Sequence, residues 1–230
     1  MTGILAFNAS PRKERSTTDI LMNKFIEGAT EVHALTNKFY VVDLDINGCK
    51  SCFDCWWKTP GKCVQKDDME WILPSITKAD ILLLGSPIYG RNITHYLQRF
   101  LERTFPLTVP EMYIKKGTTH HPSRVRKFPK MVLASTCGFP DISNFHIVKQ
   151  LYPKALNIFL PAAQLLFDEK GREYLSEFLQ NIEIAGSILG RGEDIPDDLK
   201  EKLVFEYPDD MKKQIVERHN LYSAARSSNE

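Results

Sequence analysis

Ile81-Leu82-Leu83-Leu84-Gly85 is an almost wholly apolar run. Such a run suits a strand covered on both faces, the situation of a parallel sheet. Ile4 to Phe7, Phe39 to Leu44, Met131 to Thr136 and Asn157 to Leu160 read as further strands. Between them lie segments of helical character. Asp19 to Leu35 carries Ile20, Leu21, Phe25, Ile26 and Ala29 at helical period. A second helix opens at Asp67-Asp68, acidic side chains at its positive end. Ile93 to Phe105, Ile142 to Leu151 and an amphipathic Gly171 to Leu189 complete the set. Strand, loop and helix in alternation predict an α/β fold, a doubly wound five-stranded parallel sheet with helices on both faces. Ligands of such sheets bind beyond the carboxyl ends of the strands. The loops Ser10–Thr18, Ser86–Asn92 and Thr136–Asp141 leave the sheet there, and so does a cysteine-rich loop after the second strand. Ligand and sulfur chemistry are therefore expected on one rim.

The 230 residues suffice for one sizeable domain with decoration. Residues 1–190 are expected to form it, with a cysteine loop at 46–66 and a Pro-, Gly- and charge-rich insertion at 106–129. Residues 191–230 read as a polar C-terminal extension that carries Pro196 and Pro208 and frays into Ser-Ser-Asn-Glu. It is expected to pack on a neighbouring subunit or on the back of the sheet. A net charge of +1, spread along the chain, argues against a nucleic-acid partner. The longest mostly apolar run, Leu156 to Phe167, is interrupted by Asn157, Pro161 and Gln164, and a membrane helix needs about 20 apolar residues. No cationic region precedes Ile4, so no signal peptide and a cytoplasmic location are expected.

Four of the five cysteines, Cys49, Cys52, Cys55 and Cys63, follow the spacing C-x2-C-x2-C-x7-C. Without signs of secretion they read as thiols rather than a disulfide framework. Zinc sites usually draw on two separated pairs. The compact run suits an iron–sulfur cluster better, where each cysteine takes one iron of a cuboidal core. Bare thiols with no metal remain the plain alternative.

Ser10, Arg12, Ser16, Thr17 and Thr18 precede a helix amino terminus, where exposed N–H groups, hydroxyls and an arginine make a cage for a phosphate monoester. An ordinary helix cap accounts for the same hydroxyls. The loop lacks both G-x-G-x-x-G and G-x-x-x-x-G-K-[ST], which points to a mononucleotide with a terminal phosphate. Pro87, Ile88, Tyr89 and Gly90 lie in a loop able to flank a flat heterocycle, with backbone N–H groups near Gly90 and Asn92. Asn92 is the expected cap of the next helix. Cys137 and Gly138 form a third wall, Cys137 as a buried small residue rather than a nucleophile, since no base is identifiable beside it. His120, His121, Arg124 and Arg126 in the insertion suit either a polar lid near a nicotinamide phosphate or acceptor, or a solvated loop or subunit contact.

Three stretches together carry a family resemblance: Ser10-Pro11-Arg12-Lys13 with Ser16-Thr17, the cysteine loop running into Asp67-Asp68-Met69, and Gly85-Ser86-Pro87-Ile88-Tyr89 followed by Leu97, Phe100 and Arg103. The chain resembles the flavodoxin-like NAD(P)H-dependent FMN reductases, in the branch that includes the iron–sulfur flavoproteins, over roughly residues 3–190. The resemblance implies strand order 2-1-3-4-5 and an FMN whose phosphate lies at Ser10, Arg12, Ser16, Thr17 and Thr18. It places the isoalloxazine against Pro87, Ile88, Tyr89, Gly90 and Asn92, with Cys137 and Gly138 nearby. It implies NAD(P)H as co-substrate, a small-molecule or protein acceptor, a 4Fe–4S cluster on Cys49, Cys52, Cys55 and Cys63, and a homodimer or homotetramer. Glu14-Arg15 departs from the small flexible residue frequent in relatives, and Trp56-Trp57 with Pro60-Gly61 inside the cysteine run also resembles relatives in which a cluster is not assured. A non-enzymatic FMN electron carrier and a zinc-stapled binding protein on the same fold are the competing readings.

Overall fold

The structure is a computed structural model describing residues 1–227. Its centre is a five-stranded parallel sheet in the order β2-β1-β3-β6-β7, with β1 at Gly3–Asn8, β2 at Leu35–Tyr40, β3 at Ile81–Pro87, β6 at Lys130–Thr136 and β7 at Leu156–Leu160. A short antiparallel hairpin, β4 (Tyr113–Lys115) and β5 (Thr118–His120), lies in the insertion. Counting the central strands alone, this is the expected 2-1-3-4-5. Every residue of β3 is buried, as its apolar sequence requires. β2 is an edge strand and only half buried. It begins and ends earlier than the expected Phe39 to Leu44, because Val41–Asp43 turns away as a 3-10 helix.

Helices cover both faces. On one, α1 (Thr17–Glu31) lies against α7 (Ser176–Gly190), and their glycines let the backbones touch. A Cβ built at Gly28 would meet Glu183 O at 1.8 Å, and one at Gly186 would meet Phe25 O at 2.0 Å. On the other face, Ile72, Leu73 and Ile76 of α3 (Met69–Lys78), Leu97 and Phe100 of α4 (His95–Glu102) and Val148 of α5 (His146–Leu151) fill the second core. A short α2 (Asp54–Trp57) stands within the cysteine loop.

The expected last helix is two, α6 (Glu169–Tyr174) and α7, parted at Leu175, and it is not the last. The extension carries α8 (Asp197–Lys202) and α9 (Asp209–Ser227). Leu199, Leu203, Tyr207 and Ile215 belong to the first core, so the extension packs on the sheet of its own chain. Val204 forms a parallel bridge with Phe159, at the free edge of β7. The final Ser228, Asn229 and Glu230, most of the expected fraying end, lie outside the described residues. Among the described residues, no helix is long and apolar enough to cross a membrane.

Candidate functional site

The loop after β1 is shaped by a buried polar network. Asn8 Oδ1 accepts from Ser10 N at 2.8 Å, and Asn8 Nδ2 donates to Asp19 Oδ1 at 2.8 Å. Asp19, in the first turn of α1, also receives Asn23 Nδ2 at 3.0 Å and Lys38 Nζ at 2.9 Å. A buried carboxylate persists only with such partners, and a helix amino terminus favours it. Ser16 caps α1: its Oγ accepts from Asp19 N at 3.1 Å and donates to Lys13 O at 2.6 Å. The Ser16 hydroxyl is thus committed to the cap, and the helix's first N–H groups are what it presents to an anion. Arg12 has no carboxylate partner among the described residues; its guanidinium carbon lies 5.4 Å from the Phe167 ring centre.

These groups open into a cleft of about 130 Å³ that reaches Pro87, Ile88 and Tyr89 on one side and Cys137 and Gly138 on another. Ser10, Arg12, Ser16, Thr17 and Thr18 line it as expected. Thr136, at the end of β6, joins the walls through a 2.8 Å bond with the Thr18 hydroxyl. Burial pushes the Cys137 thiol up to about 11, and its Sγ donates to Phe139 O, in keeping with a small buried residue.

Gly90 and Asn92 are not among the walls. They belong to a tight turn in which Tyr89 N donates to Asn92 O at 2.9 Å and Asn92 N to Tyr89 O at 3.1 Å. Gly90 at φ 56° and Arg91 at φ 67° supply the paired left-handed residues of a mirror-type hairpin turn. The Asn92 N–H is therefore spent, and the helix cap is Thr94, which accepts from Leu97 N. Ala163, Gln164 and Phe167 complete the cleft. They come from a 3-10 segment after β7 whose sequence reads as ordinary core. Gln164 Nε2 ties that segment to Gly138 O at 3.1 Å.

The four clustered cysteines line a second recess together with Glu102, Arg103, Phe105 and Pro106. Burial, then the nearby Cys63, Cys52 and Cys49, raises the Cys55 thiol above its ordinary value. Ser51 at φ 50° and Phe53 at φ 56° are left-handed without being glycine, a strain of about 1–3 kcal/mol each that a functional loop tolerates. Among the described residues, no group of three or more His, Cys, Asp or Glu side chains is arranged to hold a metal ion.

Arg103 anchors this loop. Its guanidinium pairs with Asp67, with 1% and 0% of the two side chains exposed. It also donates to Asn47 O at 2.7 Å and to Cys63 Sγ at 3.3 Å. Its Nε is buried with no acceptor among the described residues. Burial alone would raise the Asp67 carboxyl, but hydrogen bonds from Arg103 and Asn47 outweigh it and hold it below the usual carboxylate range. Arg103 drew attention from the sequence only through the family resemblance, and Asp67 only through it and as an acidic helix start. The insertion closes over the loop: Trp56 Nε1 donates to Phe105 O at 3.2 Å, and His121 lies 4.9 Å from the Trp56 ring. His121 thus packs on the cysteine loop, and neither His120 nor His121 lines the cleft.

Cleft and recess share no lining residue. Thr94, at the start of α4, bonds Ala9 O at 2.9 Å beside the first, and Arg103 follows the end of α4 at the second. Eight helical residues span about 12 Å. The expectation that the sulfurs open directly onto the ligand rim is therefore not met. The cysteine loop leaves the carboxyl edge and is held by Arg103, just past the far end of α4. A larger hollow of 810 Å³ lies between Lys130, Lys154, Asp194 and Glu201 and contains none of the expected site residues.

A cleft at the first helix, beyond the carboxyl ends of a sheet in the order β2-β1-β3-β6-β7, is that of a flavodoxin-like α/β protein. A family model described as NADPH-dependent FMN reductase matches residues 2–126, and the chain belongs to that family. An iron–sulfur flavoprotein of Methanocaldococcus jannaschii is 31% identical over 106 residues, 46% of this chain and 53% of that protein. One of Clostridioides difficile is 32% identical over 145 residues, 59% of this chain and 63% of that protein. The matches thus span about half to three-fifths of these relatives. Among solved structures, an FMN-dependent NADH-azoreductase from Bacillus anthracis in complex with FMN has a TM-score of 0.59 at 14% identity, over 82% of this chain and 100% of that one. At that identity the likeness bears on the fold.

Proposed function

We propose that this chain is an NAD(P)H-dependent flavin oxidoreductase that holds FMN in the cleft and a 4Fe–4S cluster in the cysteine recess. It passes electrons from a reduced nicotinamide to a small-molecule or protein acceptor. The observation that carries the flavin reading is Arg12, a guanidinium without a carboxylate partner, set among Ser10, Thr17 and the first N–H groups of α1. That donor set fits a phosphate monoester. FMN supplies hydride acceptance and the release of electrons singly or in pairs. Pro87, Ile88 and Tyr89 on one side, with Gly138 and Gln164 on the other, would flank the ring and limit water around it. No protein acid or base is required of Cys137, whose thiol stays protonated at neutral pH.

The cysteine recess supports the cluster in two ways. A cuboidal core takes one cysteine per iron, so the sulfurs need not converge on one point. The leftover Arg103 Nε is a buried donor with no acceptor among the described residues, and buried donors of that kind call for an explanation. The thiol-rich loop fits a reducing, cytoplasmic setting. Association of copies as a homodimer or homotetramer belongs to the same reading.

Anaerobic purification followed by absorbance, FMN release on denaturation, and iron and sulfide assay tests both halves. Yellow protein bleached by NADPH or NADH supports the oxidoreductase. Flavin that neither nucleotide bleaches leaves a carrier, and colourless protein contradicts the reading.

A further inference from the structure

Arg103 does more than tie two elements together. Its guanidinium is almost fully buried and its orientation is fixed from three sides. Both terminal nitrogens engage Asp67, Nη1 also reaches Asn47 O, and Nη2 reaches Cys63 Sγ at 3.3 Å. A lysine could not reproduce this, because an ammonium offers a point charge rather than a rigid planar fork. The paired Asp67 carboxylate is itself held by Asn47 N at 3.0 Å and by Met69 N at 3.1 Å, so the fork has little freedom to turn away from the sulfur. Cys63 is also the cysteine that stands apart in the run, separated from Cys55 by seven residues, with no short helical spacing to place it. Its side chain is placed from outside the loop, by an arginine just past the end of α4.

We propose that Arg103 is a positioning residue of the cysteine recess, which holds the Cys63 sulfur in place by a charge-assisted hydrogen bond and thereby sets the reduction potential of the group bound there. The proposal rests on the cluster reading above. Hydrogen bonds to ligand sulfurs, net charge and solvent exposure set the potentials of iron–sulfur centres. Asp67 offsets the charge of Arg103, so what acts on the bound group is the N–H donated to a ligand sulfur, which favours the more negative, reduced form. Removing it disfavours reduction and moves the potential downward.

The test is a redox titration of the purified holoprotein, followed by electron paramagnetic resonance and visible absorbance, in wild type and two variants. Arg103→Met with Asp67→Asn removes both charges together, and with them the N–H that reaches the sulfur, so no buried ion is stranded. Arg103→Lys keeps the charge and loses the fork. The double variant is expected to keep its FMN and its iron. Its reduced-to-oxidised cluster ratio at a fixed potential should fall about tenfold, or 59 mV for a one-electron couple. The Lys variant should shift in the same direction by less. A double variant whose midpoint matches wild type overturns the proposal. So does loss of iron from both variants, which would leave the pair as a structural staple only. Wild-type protein free of iron and sulfide overturns the cluster reading and this proposal with it, whereas an unmoved midpoint in cluster-bearing protein overturns this proposal alone.

Discussion

Asn8 donates its side-chain amide to the buried carboxylate of Asp19 at 2.8 Å, and through that bond the end of β1 is locked to the first turn of α1. The same side chain accepts from Ser10 N, so one residue orients both the loop and the helix that form the cleft. Asn8→Ala should cost about 1.5–3 kcal/mol, the range for a hydrogen bond to a charged group. FMN affinity should fall about tenfold or more, because the loop loses its fixed start. Chemical denaturation and fluorescence titration of the apoprotein check the two effects separately.

Gly28 faces the backbone of α7 with no room for a side chain: a built Cβ would lie 1.8 Å from Glu183 O. Gly28→Ala should destabilise the protein by about 1–3 kcal/mol or more, since backbone cannot yield as a flexible side chain does. Gly48→Ala, where nothing lies within 4 Å of the added carbon, is the matched control and should behave nearly as wild type. Thermal melts of the two variants make the comparison.

The Cys137 thiol gives the fold an alkaline limit. Its folded pKa, raised to about 11 by burial, exceeds the unfolded value near 8.5. A group raised in this way contributes stability that is complete below the unfolded pKa and is lost as pH climbs toward the folded one. Stability should therefore fall by about 2 kcal/mol between about pH 8.5 and about pH 10. Cys137→Ala should flatten that slope, whatever it does to stability at neutral pH. Denaturant titrations across the range measure it.

The sheet was legible because its strands are apolar enough to declare burial on both faces; Ile81 to Leu84 could hardly sit elsewhere. The loop that lines the cleft was legible from hydroxyls and an arginine ahead of a periodic segment. Asn92 and Thr94 are both good caps two residues apart, and the turn that excludes Asn92 depends on the left-handed Arg91, a conformation composition does not signal. The extension, expected on a neighbouring subunit or on the back of the sheet, takes the second course, and Pro196 and Pro208 break the periodicity that would have decided between them. Yet Leu199, Leu203 and Tyr207 return every fourth residue and bury themselves against the sheet. Asp19 read as an ordinary acidic residue in a first turn, since its partners Asn8 and Lys38 come from separate strands. The distance between cleft and cysteines was out of reach, because a twenty-residue loop can lie along any neighbouring helix.

FMN retention by Arg12→Ala tests the account most directly. A charge-assisted phosphate contact contributes about 1.5–3 kcal/mol, so the dissociation constant should rise about 10- to 150-fold, and the variant should lose its yellow colour on dialysis while wild type keeps it. An Arg12→Ala protein that binds FMN as tightly as wild type would contradict the assignment of this cleft.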